Sequence, residues 1–239
     1  MSRRRLVLFD IDGTILLTAG AGRRAVLRAV AEVLPLNDAA RTVRFDGKTD
    51  PLIVMELLAA AGHPTPTDAG LVGELCVRYV SYLEEELQAP THGTTVLPGI
   101  GALLAELHEH PEVMLGLLTG NVERGARLKL ASGGIDADRF VVGAYGSDSH
   151  HRPDLPAIAA RRAEPFLGRL PSGPDVVIIG DTPADVTCGN GIGARAVAVA
   201  TGSYDTAALH EAGAAAVFAD LSDTARVVEA ILWDRSSSS

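Results

Sequence analysis

Near the start of the chain, residues 6–14 read LVLFDIDGT, an apolar run that ends in two aspartates and a glycine. A continuous apolar run is typical of a strand buried on both faces, as in a parallel sheet. Side chains two apart in an extended segment point the same way, so Asp10 and Asp12 are expected to face one site. Paired carboxylates at a strand end predict a divalent cation such as Mg²⁺, which prefers oxygen ligands. The structural alternative is a polar turn in which Gly13 permits the sharp bend.

Length and composition limit the classes of protein to consider. A chain of 239 residues is long enough for one large domain, or for one domain with a smaller insertion. With 47% hydrophobic and 21% charged residues, the composition is that of a globular protein. The net charge of −9 gives no electrostatic help in binding a phosphate backbone, so a nucleic acid partner is not expected.

Cysteine content and hydropathy bear on the cellular compartment. Cys76 and Cys188 indicate neither a disulfide framework nor a cysteine metal site, which favours a reducing cytoplasm. The basic residues 3–5 and the apolar run after them imitate a secretory signal, but Asp10 and Asp12 interrupt it. No uncharged run approaches the length of a membrane span. We therefore expect a cytoplasmic protein with no membrane partner, and the sequence does not indicate its oligomeric state.

The segment at residues 18–93 shows helical patterns only. Residues 21–34 have an apolar stripe that stops at Pro35, and residues 65–68 begin a long amphipathic helix. Between them, residues 41–50 are polar and loop-like, and Asp50 with Pro51 predicts the N-cap and first turn of a helix that closes at Gly62. A parallel strand connection needs one crossover helix, so several helices here predict an inserted cap.

From Pro98 onward, helical and extended patterns alternate. Strands are predicted at 113–118, 140–142, 175–179 and 195–199, and helices at about 100–107, 122–131, 154–163, 183–189 and 221–232. Such alternation is typical of a doubly wound sheet. The predicted fold class is therefore α/β: a Rossmann-like doubly wound parallel sheet core at residues 1–17 and 94–239, with an α-helical cap domain at 18–93 inserted after the first strand.

Two later strands end in polar residues. At residues 117–121, LLTGN, Thr119 and Gly120 precede a helix whose free N–H groups suit a phosphate, although Thr119 could simply cap that helix. At residues 176–185, VVIIGDTPAD, a buried strand ends at Asp181 and Asp185 follows one helical turn later. Asp185 could instead form a capping pair with Thr182.

A basic residue precedes another predicted helix, in the stretch at residues 147–154, SDSHHRPD. Arg152 stands before Pro153, where its guanidinium could contact a phosphate and a carboxylate together. The adjacent histidines His150 and His151 are interpreted as a polar loop, because a structural metal site needs three or four ligands.

Together, the D-x-D-G-T stretch at Asp10, the apolar run ending in Thr119 and Gly120, and the G-D-x-x-x-D stretch at Asp181 resemble the haloacid dehalogenase superfamily over essentially the whole chain. The similarity is to its phosphatase branch, near phosphoglycolate-phosphatase-like and phosphoglucomutase-like members, which carry a helical cap. One departure is that the family usually has lysine where this chain has Arg152. Lys129 is an alternative, placed too early and expected on the outer turns of a surface helix.

The resemblance implies a role for each matched residue. Asp10 would attack the phosphoryl group and form an aspartyl-phosphate, as carboxylates do in other enzymes, and Asp12 would protonate the leaving oxygen and then activate water. Thr119, Gly120 and Asn121 would hold the phosphoryl oxygens, and Arg152 would supply positive charge. The implied Mg²⁺ ligands are the carboxylates of Asp10 and Asp181, the backbone carbonyl of Asp12, and Asp185 directly or through water.

The predicted function is therefore Mg²⁺-dependent hydrolysis of a small phosphorylated metabolite. An acid at Asp12 argues against the dehalogenases of the family, which lack it. A phosphosugar mutase shares the same core residues and stays an alternative, as does a phosphate-binding protein without catalysis. Lys48, in the cap, is a candidate for binding a second anionic group of the substrate, and a solvated loop is the other interpretation.

Overall fold

The structure, a computed structural model, describes residues 5–89 and 93–233. Residues 1–4, on which the signal-peptide argument partly depends, lie outside the described residues. The strands are β1 (Arg5–Phe9), β2 (Leu16–Leu17), β3 (Thr95–Val96), β4 (Val113–Thr119), β5 (Val142–Tyr145), β6 (Val176–Gly180), β7 (Arg195–Val199) and β8 (Ala216–Phe218). The α-helices are α1 (Ala21–Ala31), α2 (Asp38–Arg41), α3 (Asp50–Ala61), α4 (Ala69–Gln88), α5 (Ile100–Glu109), α6 (Glu123–Ser132), α7 (Leu155–Leu167), α8 (Pro183–Cys188), α9 (Thr206–Glu211) and α10 (Thr224–Leu232).

The central element is a six-stranded parallel sheet in the order β5-β4-β1-β6-β7-β8. Every residue of β1 is buried, as its apolar run predicts for a strand with neighbours on both sides. Val7 and Phe9 pack in a cluster with side chains of α5 and α10, whereas Leu6 and Leu8 pack with α7 on the other face. Helices therefore cover both faces, and the predicted α/β doubly wound fold is confirmed.

Helices α1 to α4 lie between β1 and β4 in the chain and form a separate apolar cluster. Val30 of α1, Leu57 of α3 and Leu83 of α4 are fully buried in it. Two short antiparallel strands, β2 and β3, flank this helical segment in the chain and pair with each other. This packing supports the division into a core and a helical cap at 18–93, which stays a prediction.

Several elements differ from the sequence prediction. The strand predicted at 140–142 begins at Val142, because residues 137–139 form a turn of 3-10 helix and Phe140 packs against Phe9. Strands β2, β3 and β8 and helices α2 and α9 were not predicted. Two-residue strands and four-residue helices are too short to show a period, and β8 lies in an alanine-rich stretch without strand character.

Among the described helices, none combines the length and the apolar character needed to cross a membrane.

Candidate active site

Three polar strand ends meet at one edge of the sheet. Asp10 follows β1, Thr119 ends β4 and Asp181 follows β6, and these three strands are neighbours. The carboxyl ends of parallel strands share an edge, where ligands bind in open α/β sheets. All three residues line a cavity of about 570 Å³, whose other wall includes residues 42–48 of the helical segment.

Three buried carboxylates form a cluster at this edge of the sheet, and two of them, Asp10 and Asp181, line the cavity. Asp10, Asp181 and Asp185 each place one carboxylate oxygen within 4.8 Å of the others. The Thr14 hydroxyl donates to Asp181 Oδ1 at 3.1 Å. Burial, with the neighbouring carboxylates, raises the pKa of Asp10 to about 7 and that of Asp181 to about 9. Such crowding requires nearby positive charge if the acids are to be ionised.

Arg152 supplies part of that charge. Its Nη2 donates to Asp10 Oδ1 at 3.0 Å and also to Asp185 Oδ1. Burial alone lowers the pKa of the guanidinium, but the carboxylates of Asp185 and Asp10 raise it above its ordinary value. The structure therefore places Arg152 beside Asp10, as the sequence prediction requires.

Asp185 has both of the roles considered from the sequence: it belongs to the acid cluster, and it forms a capping pair with Thr182. Its Oδ2 accepts hydrogen bonds from the Thr182 backbone N–H at 3.0 Å and from the Thr182 hydroxyl at 2.6 Å. This is the predicted capping box at the start of α8. Its Oδ1 accepts from Arg152. One carboxylate oxygen thus orients the side chain, and the other faces the cluster.

The prediction for Lys129 is wrong. Instead of lying on an exposed turn, Lys129 is 5% exposed. Its Nζ lies 2.8 and 2.6 Å from the two carboxylate oxygens of Asp12 and 2.6 Å from Asn121 Oδ1. The reason is that α4 covers the inner face of α6, which also carries Gly125, Ala126 and Leu130.

The loop after β4 connects Asp12 to the strand end. The Asn121 side-chain amide donates to Asp12 Oδ2 at 2.7 Å and to Thr119 Oγ1 at 2.8 Å. Thr119 does not cap α6, the alternative given above, because the N-cap of that helix is Val122, which has no side-chain cap bond. The hydroxyl of Thr119 is instead held inside the cavity wall.

Asp50 was predicted as a helix cap, and this prediction is also wrong. The N-cap of α3 is Thr49, whose hydroxyl accepts from Leu52 N at 3.4 Å. Asp50 Oδ2 accepts from Val122 N at 2.8 Å, and its own N–H donates to the Gly120 carbonyl at 2.7 Å. Because Thr49 and Asp50 are both good cap residues, the sequence alone could not distinguish them.

Lys48 lines the cavity, but its ammonium has a partner. Its Nζ lies 2.5 Å from Glu56 Oε2. A Cβ at Gly120 would lie 2.0 Å from the Lys48 carbonyl oxygen, so only glycine permits this close approach. The segment with Lys48 thus packs directly on the loop that follows β4.

Two other features carry none of the predicted site residues. His151 is exposed and lies 3.1 Å from Asp154, in agreement with a polar loop. A wider groove of about 890 Å³ runs between α4 and residues 146–150 and is lined mainly by apolar side chains.

Comparison with known proteins shows the family to which this chain belongs. A family model described as "HAD-hyrolase-like" matches residues 155–224. Phosphoglycolate phosphatase from Cereibacter sphaeroides is 30% identical over 207 residues, which cover 86% of this chain and 88% of the relative.

Solved structures show the same fold. A hydrolase from Pseudomonas syringae superposes with a TM-score of 0.71 at 23% identity, over 95% of this chain and 98% of the other. CbbY from Rhodobacter sphaeroides, solved in complex with phosphate, superposes with a TM-score of 0.65 at 19% identity, over 92% of this chain and 96% of the other. The chain belongs to the haloacid dehalogenase family and is one of its phosphatases, which hydrolyse phosphoric monoesters.

Proposed function

We propose that this chain hydrolyses a small phosphorylated metabolite with Mg²⁺ and that Asp10 is the nucleophile. One observation carries the proposal: Asp10 follows the central strand β1 and lies among two further carboxylates and the guanidinium of Arg152. The phosphoryl group of a substrate would meet there both a carboxylate nucleophile and positive charge, the two components that this chemistry needs.

The donor set fits a divalent cation. Asp10, Asp181 and Asp185 together carry three negative charges when ionised, and Arg152 offsets one of them. The raised pKa values of Asp10 and Asp181 reflect this excess of negative charge in a buried site. These residues, with the backbone carbonyl of Asp12, would hold Mg²⁺, whose charge would offset that of the phosphoryl oxygens.

The chemical steps belong to the two aspartates of the β1 loop. A carboxylate oxygen of Asp10 forms a bond to phosphorus while the bond from phosphorus to the leaving oxygen breaks, and Asp12 gives a proton to that oxygen. Asp12 then takes a proton from the water that hydrolyses the aspartyl-phosphate. Thr119, Gly120 and Asn121 line the cavity beside this loop and would hold the phosphoryl oxygens.

The substrate is proposed to be small and anionic. The curated relative is a phosphoglycolate phosphatase, so phosphoglycolate is the first compound to test. Lys48 and Arg44 line the cavity wall opposite the sheet, although each is paired with an acid, Glu56 and Asp46 respectively. A substrate carboxylate or second phosphate could replace either acid as the partner.

The proposal is tested by measuring phosphate release from an aryl phosphate and from a panel of phosphorylated metabolites. We expect release only with Mg²⁺ or a similar ion, and loss of activity after exhaustive chelation that added Mg²⁺ restores. Full activity after chelation would contradict the metal requirement. Rapid isomerisation of a hexose 1-phosphate with little free phosphate would favour a mutase instead.

A further inference from the structure

Lys129 is a buried cation that the proposed reaction does not yet use. None of its hydrogen bonds goes to the acid cluster that contains Asp10. Its Nζ contacts both carboxylate oxygens of Asp12 and the side-chain oxygen of Asn121. We propose that Lys129 is a positioning residue that holds the Asp12 carboxyl group in place for proton transfer to the leaving oxygen. This inference rests on the proposed function.

The contacts around Asp12 form a closed triangle. Lys129 donates to Asp12 and to Asn121, and the Asn121 amide donates back to Asp12 Oδ2 at 2.7 Å. The side chain of Asp12 is 42% exposed, so burial alone does not fix its rotamer. Hydrogen bonds from an ammonium to both of its oxygens do, because the bonds limit rotation about both side-chain torsions.

The helical segment sets the position of Lys129 in turn. A Cβ at Gly22 of α1 would lie 3.3 Å from Lys129 Nζ and 3.5 Å from its Cε. The ammonium therefore fits under α1 with little space to spare. Asp50 at the start of α3 is close enough for the charge of Lys129 to lower the pKa of its carboxyl group, and the side chain of Tyr79 in α4 is hydrogen-bonded to Asp50.

This arrangement predicts dependence on the leaving group. An alkyl phosphate expels a strongly basic oxygen that needs a proton as it departs, whereas 2,4-dinitrophenyl phosphate expels a stable anion. A residue that orients the proton donor should therefore matter for the first ester and little for the second. A residue needed only for folding, or only for binding the phosphoryl group, would affect both alike.

The experiment compares kcat/KM for the two esters, because this quantity covers only the steps up to departure of the leaving group. For Lys129→Met we expect roughly a ten- to hundredfold loss with the alkyl ester and less than about threefold with the dinitrophenyl ester, a part of what general acid catalysis contributes. Lys129→Arg should recover part of the loss. Equal losses with both esters, or no loss, would overturn the inference.

The variant Asp12→Asn separates failure of this inference from failure of the proposed function. If Asp12→Asn shows the selective loss and Lys129→Met does not, Asp12 is the proton donor and Lys129 does not position it. If the wild-type chain hydrolyses neither ester, or if Asp12→Asn loses nothing selectively, the proposed role of Asp12 fails first.

A second variant approaches Lys129 from the helical segment, in case Lys129→Met does not fold. Gly22→Ala introduces a methyl group that must displace the ammonium by a few tenths of an ångström. The matched control is Gly73→Ala in α4, where an added Cβ meets nothing within 4 Å. We expect a selective loss of about threefold or more with the alkyl ester for Gly22→Ala and none for Gly73→Ala. Equal behaviour of the two variants would contradict the inference.

Discussion

Arg152 and Lys129 both line the cavity, but they meet its carboxylates in different ways. Arg152 is 7% exposed and contacts two acids, Asp10 and Asp185, that are themselves buried. Lys129 is buried too, yet it contacts one acid, Asp12, whose side chain is 42% exposed. A guanidinium keeps its charge at any working pH and can contact several acceptors, whereas an ammonium is a compact charge on a flexible stem. The two cations therefore divide the site into a side where the charge of buried carboxylates is compensated and a side where the proposed proton donor, Asp12, is held by hydrogen bonds.

The largest expected effect lies on the Arg152 side, at Asp10, the proposed nucleophile. Asp10→Asn keeps the shape of the side chain but removes the nucleophilic carboxylate, so turnover should fall by about 10⁴-fold or more. Circular dichroism should show an unchanged fold. Turnover close to that of the wild-type chain would mean that Asp10 does not attack the phosphoryl group.

The second-largest effect is expected from substitution of Arg152. Removing one charge-assisted contact in a closed site should cost about 2–4 kcal/mol of transition-state stabilisation, by analogy with other deleted donors, or roughly 30- to 1000-fold in kcat/KM. Arg152→Ala should show this loss and Arg152→Lys a smaller one, since lysine keeps the charge without the planar fork. Thermal melting serves as the control for folding. An Arg152→Ala variant with normal kinetics would remove Arg152 from the reaction.

A smaller effect, on stability rather than turnover, is expected for Asp50, whose carboxyl group lies close to Lys129. Burial raises the pKa of Asp50 to about 6, and the positive charge of Lys129 offsets this rise only in part. A carboxyl whose pKa is raised in the folded chain contributes stability below its unfolded pKa and loses that contribution as the pH rises through the folded pKa. Asp50→Asn removes the titration but keeps an acceptor for the Val122 N–H.

The variant should therefore gain stability relative to the wild-type chain with rising pH. From about pH 4.5 to pH 7.5 the difference in unfolding free energy should shift by about 2 kcal/mol in favour of Asp50→Asn. Urea unfolding of both chains at the two pH values measures this shift. A difference that stays constant with pH, or that moves the other way, would contradict the raised pKa of the Asp50 carboxyl group.

On the Arg152 side of the site, the positions of the polar residues could be predicted from the sequence. Asp10 and Asp181 each end an uninterrupted apolar run, which identifies a buried parallel strand and places the following residue at the ligand-binding edge. Arg152 could be predicted beside Asp10 because its position before Pro153 and a helix matches the lysine position of the family that the chain resembles. These inferences are local: each depends on a few consecutive residues and on the rule that parallel strands share an edge.

The Lys129 side could not be predicted in this way. Lys129 lies on the inner face of α6 only because α4, which is far away in the chain, packs over it. A lysine in a helix is normally exposed, so the sequence alone favoured the wrong position. The prediction that Asp50 is a helix N-cap failed for a related reason. Its local sequence pattern matched a cap, but its contact with Val122 N depends on tertiary packing. The missed strands β2 and β3 likewise exist only through their pairing with each other.

The central claim, that Asp10 forms a covalent bond to the phosphoryl group, can be measured directly by trapping. The wild-type chain is mixed with excess aryl phosphate and Mg²⁺, quenched in acid during the first turnover, and reduced with borohydride, which converts an aspartyl-phosphate to homoserine. Tandem mass spectrometry of the tryptic peptide at residues 6–23 then distinguishes Asp10 from Asp12. The account predicts homoserine at position 10 and none at position 12, with Asp10→Asn unmodified. A burst of product with no change at position 10, or with the modification elsewhere, would contradict it.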